Sequence, residues 1–185
     1  MEFMEVIKNR RAVRDYLDRA VDRSAIESVS AAAILAPSAM NLQPWAFAVI
    51  LGRERIEGYA KRAKDWLLAS LSQTSYDPSF RHMLEDPSFA IFHHAPALVV
   101  VLAKSSGSQA GEDCCLAAEN LMLTARGEGL GSCWIGLARP WLDLPATKIE
   151  LKLADQFHVV APIVLGYPKT WPESPGRKSA EIYWL

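Results

Sequence analysis

The sequence lacks the marks of several common protein classes. No apolar run approaches the ~20 residues of a membrane span,. The opening Met1-Glu2-Phe3-Met4-Glu5 has neither the basic stretch nor the apolar core of a signal peptide,. Cysteine is scarce and odd in number: Cys114, Cys115 and Cys133 are the three. Their spacing fits neither a zinc site nor a CxxC redox pair, so they are expected to be reduced core residues of a cytoplasmic protein. An excess of one charge is also missing. A net charge of −1 over 185 residues gives no basis for binding nucleic acid or an acidic membrane surface,. His93 and His94 have no carboxylate or cysteine spaced to complete a metal site, and no Ser–His–Asp arrangement is apparent,. Internal repeats and low-complexity segments are absent.

What remains is a chain that is 50% apolar and long enough for one sizeable core. At this length about 70% of the unfolded surface is buried, and a single domain over residues 1–185 is expected. Phe3, Val6 and Ile7 have the spacing of a short opening helix. Ser24 and Glu27 form a capping-box pattern ahead of a second helix that carries Ile26, Val29, Ala33 and Ala36 on one side. Residues 46–51 are continuously apolar, which predicts a strand buried on both faces. Ile56, Tyr59, Ala60, Ala63, Trp66, Leu67 and Leu71 repeat at helical steps, predicting a long amphipathic helix. From Gln73 to Pro96 the pattern dissolves into an irregular aromatic segment, the form of a lid or binding wall. Tyr76, Phe80 and Phe89 are its candidate wall residues, and His93 and His94 are expected to be structural or exposed.

Residues 97–103 are the clearest strand. A helix from about Ser108 to Arg126 is apolar around nearly its whole circumference, which implies burial on all sides and suggests a second subunit. Residues 132–136 read as a short strand ending in Gly136, where a ligand can approach the backbone. A short helix is expected near Leu142–Leu153. The strand from Phe157 to Gly166 contains Pro162, which implies an edge or a bulge. The Pro-rich tail carries Lys169, Arg177 and Lys178 and ends in an apolar-aromatic run that suits a strand added to a partner's sheet,.

Two stretches carry the chemistry. Arg10, Arg11 and Arg14 form a positive cluster at the end of the first helix rather than along its face. It is either a solvated surface run or a site for an anionic group, to which Arg presents a fork of donors. The loop from Ala36 to Trp45 lies between Pro37, which ends the second helix, and Pro44, which opens the strand. Ser38, Asn41 and Gln43 are neutral hydrogen-bonding side chains, suited to recognising a polar planar ligand and not to acid, base or nucleophilic work. Read alone, the loop is first of all a helix-to-strand connector.

These pieces in this order resemble the nitroreductase family of FMN-dependent oxidoreductases. Arg10-Arg11-Ala12-Val13-Arg14 is similar to the family's RRSxR, and Ala36-Pro37-Ser38 through Asn41-x-Gln43-Pro44-Trp45 to its APSxxNxQPW. Gly129 through Gly136 and Gly166-Tyr167-Pro168 with the basic tail complete the match. The resemblance implies an α+β fold with a central mixed β-sheet flanked by helices, in an intertwined homodimer with FMN at the interface. It implies that Arg10, Arg11 and the segment around Ala12, with Arg177 or Lys178, hold the FMN phosphate. Arg14 would lie near N1 and O2 of the flavin and tune it electrostatically. Pro37, Ser38, Asn41 and Gln43 would come from the other subunit to the ribityl chain and ring edge. The backbone N–H groups near Ile135 and Gly136 would face N5. Ala12 stands where the family usually has serine, so one hydroxyl contact is missing. The implied reaction is ping-pong hydride transfer from NAD(P)H, for which no dinucleotide fingerprint is present, to a small acceptor such as a nitroaromatic or quinone. Dehalogenation, dehydrogenation and flavin fragmentation are alternatives on the same fold, and a non-catalytic flavin-binding module is the alternative from another class.

Overall fold

The computed structural model describes residues 1–71 and 78–185, so Tyr76 lies outside the described residues. Helices α1 (Phe3–Asn9) and α2 (Arg23–Ala33) precede strand β1 (Trp45–Leu51) and helix α3 (Arg53–Leu71). Helix α4 (Pro78–Glu85), strand β2 (Ala97–Ala103) and helix α5 (Ser108–Gly127) follow. Strand β3 (Gly131–Trp134), helices α6 (Arg139–Leu142) and α7 (Pro145–Glu150) and strand β4 (His158–Gly166) complete the order. The sheet runs β1-β2-β4-β3 and is antiparallel at every strand pair. Parallel pairing among the described residues is confined to an isolated bridge between Ala12 and Ser132.

Strand β2 explains the layering. Its side chains alternate between two apolar faces, which is why its sequence shows no polar alternation. Leu98, Val100 and Leu102 join the core formed with α3, α4 and α6. Ala97, Val99, Val101 and Ala103 join the core formed with α2 and α5. Every residue of β2 is buried, and each large one contributes ~1.5–3 kcal/mol. The helical steps of α3 bury Ile56, Tyr59, Ala60, Ala63, Leu67 and Leu71 as expected.

Several expectations are corrected. Strand β1 is the sheet edge, and residues 46–49 are only partly covered. The Ser24–Glu27 box is not formed: Asp22 precedes α2 without a side-chain cap bond, and Glu27 pairs with Arg23 at 2.8 Å. Residues 78–85 of the supposed irregular segment are helical. The helix expected over 142–153 is two short ones, because Pro145 starts a new helix after Leu144,. Cys114 and Cys133 are buried thiols, but Cys115 is exposed. Helix α5 needs no such correction: within the single chain it is covered on one side, and Cys115 and Leu116 lie on the face for which a second subunit is expected.

Strand β4 is central rather than an edge, and it tolerates Pro162 for a local reason. The Pro162 carbonyl accepts from Ile135 N–H at 2.7 Å, one residue past the end of β3. Its missing donor faces that same side, where no ladder partner follows. The bulge that Pro162 implied is present as a register shift opposite Val101 and Leu102. Further along, side chains stand in for the strand that β3 no longer provides. Asp143 accepts from Val159 N–H at 3.0 Å, and Arg139 Nε donates to Val159 O at 2.8 Å.

Strand β3 is tied to the N-terminal segment through Gly131. A Cβ there would lie 2.8 Å from three side-chain carbons of Val13, which is fully buried. Gly131→Ala is therefore expected to destabilise the protein by about 1–3 kcal/mol. Urea unfolding at neutral pH measures this, and an unchanged midpoint would show that the segment is not held there.

Candidate functional site

The first half of the site is the segment after α1. Arg10 leaves the helix in an extended conformation, its N–H still bonded to Val6 O at 2.8 Å. Val13 N–H donates to Ser132 O at 3.0 Å, and the Tyr16 hydroxyl donates to Val13 O at 2.6 Å. The backbone is thus fixed on the β3 edge, with the arginines mounted on it. Arg10 meets Glu119 of α5 at 3.6 Å. Arg11 Nη1 donates to the carbonyls of Lys8 at 2.7 Å and Arg10 at 2.6 Å, while its Nε is buried without an acceptor. Arg14 is exposed, and its charge acts on Cys133, Tyr16 and His93. Burial pushes the Cys133 thiol up, with Arg14 opposing. Burial likewise pushes the Tyr16 hydroxyl well above its ordinary range, so it stays a neutral donor.

The second half is the loop before β1. Ser38 is extended, and residues 39–41 make one 3-10 turn. Met40, Asn41 and Gln43 have φ of 49°, 56° and 48°, in the left-handed region that non-glycine residues seldom adopt,. Such conformations cost on the order of 1–3 kcal/mol each and persist only where surroundings enforce them. The enforcement is visible. Ser38 Oγ accepts from Gln43 N–H at 3.0 Å, and Gln43 Nε2 donates to Asn41 Oδ1 at 2.9 Å. The buried carboxylate of Asp113 accepts from Ala39 N–H at 3.2 and 3.3 Å. Lys104 N–H donates to Pro44 O at 2.7 Å. Ser38, Asn41 and Gln43 therefore form one connected polar patch after Pro37, beside a cavity of about 540 Å³ lined by Gln43, Lys104 and Asp113. Sequence reasoning missed Asp113, which reads as one more helical residue until the fold sets it under the loop.

The two halves do not meet within one chain. Residues 10–14 follow β3, and residue 43 leads into β1 at the opposite sheet edge. Three inter-strand steps, roughly 14 Å, separate those edges.

Other expected contributors are placed less simply. The Ile135 N–H is spent on Pro162 O, so of the two amides only Gly136, exposed at the start of a turn, has its N–H without an acceptor among the described residues. Arg177 donates to its neighbour Gly176 O at 2.8 Å, and no hydrogen bond ties it or Lys178 to Arg10 or Arg11 among the described residues. The tail instead docks earlier, through Lys169 against Asp15 at 2.8 Å and Trp171 against Arg126 at 3.5 Å. Arg126 was also missed by sequence, where it is only the end of a helix. Of the wall residues, Phe80 and Phe89 are half-buried against the core, and Phe89 meets the His93 imidazole edge-on at 6.4 Å. His94 is exposed and pairs with Glu57 at 2.9 Å. Among the described residues no cluster of His, Cys, Asp or Glu could hold a metal ion. No helix there is long and apolar enough to cross a membrane.

Comparison with known proteins places this arrangement in a class. The model of the Nitroreductase family matches residues 7–167, and the chain belongs to that family. A protein of Archaeoglobus fulgidus, named as a candidate NADH dehydrogenase/NAD(P)H nitroreductase, is 34% identical over 168 residues, covering 91% of this chain and 86% of its own. A nitroreductase with bound FMN from Bacteroides fragilis superposes with a TM-score of 0.86 at 28% identity, over 100% of this chain and 99% of its own. A BluB-like flavoprotein from Clostridium difficile superposes with a TM-score of 0.77 at 25% identity, over 97% and 95% of the two chains.

The His93 imidazole is held below its ordinary 6.5 by burial first, then by Arg14 and His94. The fold thus favours its neutral form, so this contribution to stability is complete above about pH 6.5 and is lost as pH falls further. His93→Gln should lose less stability than the unaltered protein between about pH 7 and about pH 5 in urea unfolding. Equal losses would remove His93 from the acid response.

Proposed function

We propose that the protein is an FMN-dependent oxidoreductase that moves hydride from NAD(P)H to a small acceptor such as a nitroaromatic or quinone, in a site completed by a second copy of the chain. The observation that carries the reading is the pairing of two unlike half-sites at opposite sheet edges. One presents guanidinium groups on a rigid backbone, and the other presents a strained loop of neutral amide and hydroxyl groups. The donor set fits a flavin mononucleotide: charge for a phosphate, amides for a polyol and a heterocycle edge. The buried, unpaired Nε of Arg11 fits an anion in the same place.

When bound, FMN supplies the hydride chemistry. Arg10 and Arg11 bind its phosphate, with Ala12 contributing no hydroxyl. Arg14 would supply a positive charge to the pyrimidine edge of the bound flavin, a form of electrostatic stabilisation. It does not donate a proton, since a guanidinium stays charged throughout the usual pH range. Pro37 and the Ser38–Asn41–Gln43 patch of the partner copy orient the ribityl chain and ring edge. The free N–H of Gly136 would be available to the reacting edge of the bound flavin. Arg177 and Lys178 reach the phosphate only if the exposed tail is rearranged by the partner. The second copy is supported by apolar surface that this chain leaves open. Leu35, Met40, Leu42 and Leu116 are exposed, as are Ile182, Tyr183, Trp184 and Leu185 at the end of the tail. A groove lined by Phe3, Val6, Leu35 and Leu123 runs between α1, α2 and α5.

Purified protein should be yellow and bleach with NADPH or NADH under anaerobic conditions. A yellow protein that neither donor bleaches would reject the reductase. Arg14→Ala should lower the flavin midpoint potential by roughly 30–65 mV, the equivalent of ~1.5–3 kcal/mol for a charge-assisted contact in a two-electron couple. An unchanged potential would take Arg14 out of this role.

The shared site is tested by mixing Arg10→Ala/Arg11→Ala with Asn41→Ala/Gln43→Ala, each expected to lose FMN and activity by itself, after reversible dissociation. Random reassortment should restore about one quarter of the wild-type sites, because each mixed dimer regains one intact site. No recovery, in mixtures proven to exchange, would mean that each chain carries its own site.

A further inference from the structure

At one corner of the fold, three segments distant in sequence come together. The end of α5 lies against α1, with Val6 3.8 Å from where a Cβ at Gly127 would be. Ala12 is bridged to Ser132 on β3. The segment after β4 is pinned alongside by Lys169 against Asp15 through both backbone and side chain. Arg126 and Arg11 share this corner, and Trp171 from the third segment covers one face of the Arg126 guanidinium at 3.5 Å from the ring centroid.

The charge here is unbalanced. No carboxylate lies within ion-pair distance of Arg11 or Arg126 among the described residues, although Arg10 next door has Glu119. The Nε of Arg11 and the Nε of Arg126 are both buried without an acceptor. Arg11 spends one nitrogen on two backbone carbonyls, and the Arg126 guanidinium makes no hydrogen bond among the described residues. Burial first, and the Arg11 charge second, hold the Arg126 guanidinium below its ordinary range. Two like charges brought together with free donors are unfavourable unless an anion joins them. A phosphate monoester carries about −1.5 to −2 charge at neutral pH and three acceptor oxygens. It matches two guanidinium forks better than a carboxylate or halide does. An aromatic face stacked on one of them fixes its plane and leaves its edge for the ligand.

We propose that Arg126, held flat by Trp171 and paired with Arg11, is a phosphate-binding residue that takes the phosphate monoester of the flavin. This rests on the FMN reading above. It assigns to the α5 terminus and the segment after β4 a task that the Arg10–Arg14 segment alone does not complete.

Riboflavin, which lacks the phosphate, separates this inference from the reading beneath it. Apoprotein is titrated with FMN and with riboflavin by flavin fluorescence. Arg126→Gln should weaken FMN binding roughly 10- to 100-fold and leave riboflavin binding unchanged. Arg126→Lys should fall between. Trp171→Leu keeps the charge and should weaken FMN by a smaller factor, again without effect on riboflavin, which gives a second readout should Arg126→Gln fold poorly. Inorganic phosphate should raise the Tm of wild-type apoprotein and not that of Arg126→Gln. An FMN-to-riboflavin affinity ratio equal in wild type and in both Arg126→Gln and Trp171→Leu overturns the inference while the flavin assignment stands. Should wild type bind neither flavin, the flavin reading falls and takes this inference with it.

Discussion

The contact between Val13 and Gly131 is what the remaining architecture leans on. A glycine at the start of β3 lets a buried valine sit where a methyl group would collide. The Val13 amide can then bond to Ser132. That single bond and the Ala12–Ser132 bridge turn a helix-end segment into something like an extra, one-residue strand. Arginine side chains are long and entropically costly to fix. Mounting them on backbone that cannot move lowers that cost, because only side-chain torsions remain to be ordered.

The opposite strategy operates at the other sheet edge. There the loop is held in left-handed conformations by its own side chains and by one buried carboxylate. The two half-sites thus store their order differently, one in hydrophobic packing and the other in a polar network. A polar network is unforgiving of partial loss, since a buried donor left without its acceptor costs about 1–3 kcal/mol. Asp113 matters to the site for that reason, although it faces the loop and not the outside.

Much of the fold was legible in the residues, and for definite reasons. Strand β2 and helix α3 announce themselves because their burial follows directly from their periods, two apolar faces in one case and one apolar stripe in the other. The Arg10–Arg14 and Pro37–Gln43 stretches stand out because their residue types are unusual for the local structure. Edge and centre were confused for β1, since it is as apolar as a central strand and only pairing decides which is covered, whereas the bulge that Pro162 allowed for in β4 is there. The Ser24–Glu27 pattern was outcompeted by an Arg23–Glu27 ion pair one helical turn long. Asp113, Arg126 and Trp171 could not be found at all from spacing. Their meaning comes from neighbours 74 positions away for the loop contact, and 45 positions away for the stacked pair.

Strand β4 is longer than the β3 that covers its outer side, and the surplus is chemically passivated. Arg139 and Asp143 occupy the carbonyl and amide of Val159, and Pro162 has no hydrogen to offer. A stray polypeptide approaching that flank finds nothing to zip onto. The molecule can therefore keep that sheet margin open without becoming a template for aggregation.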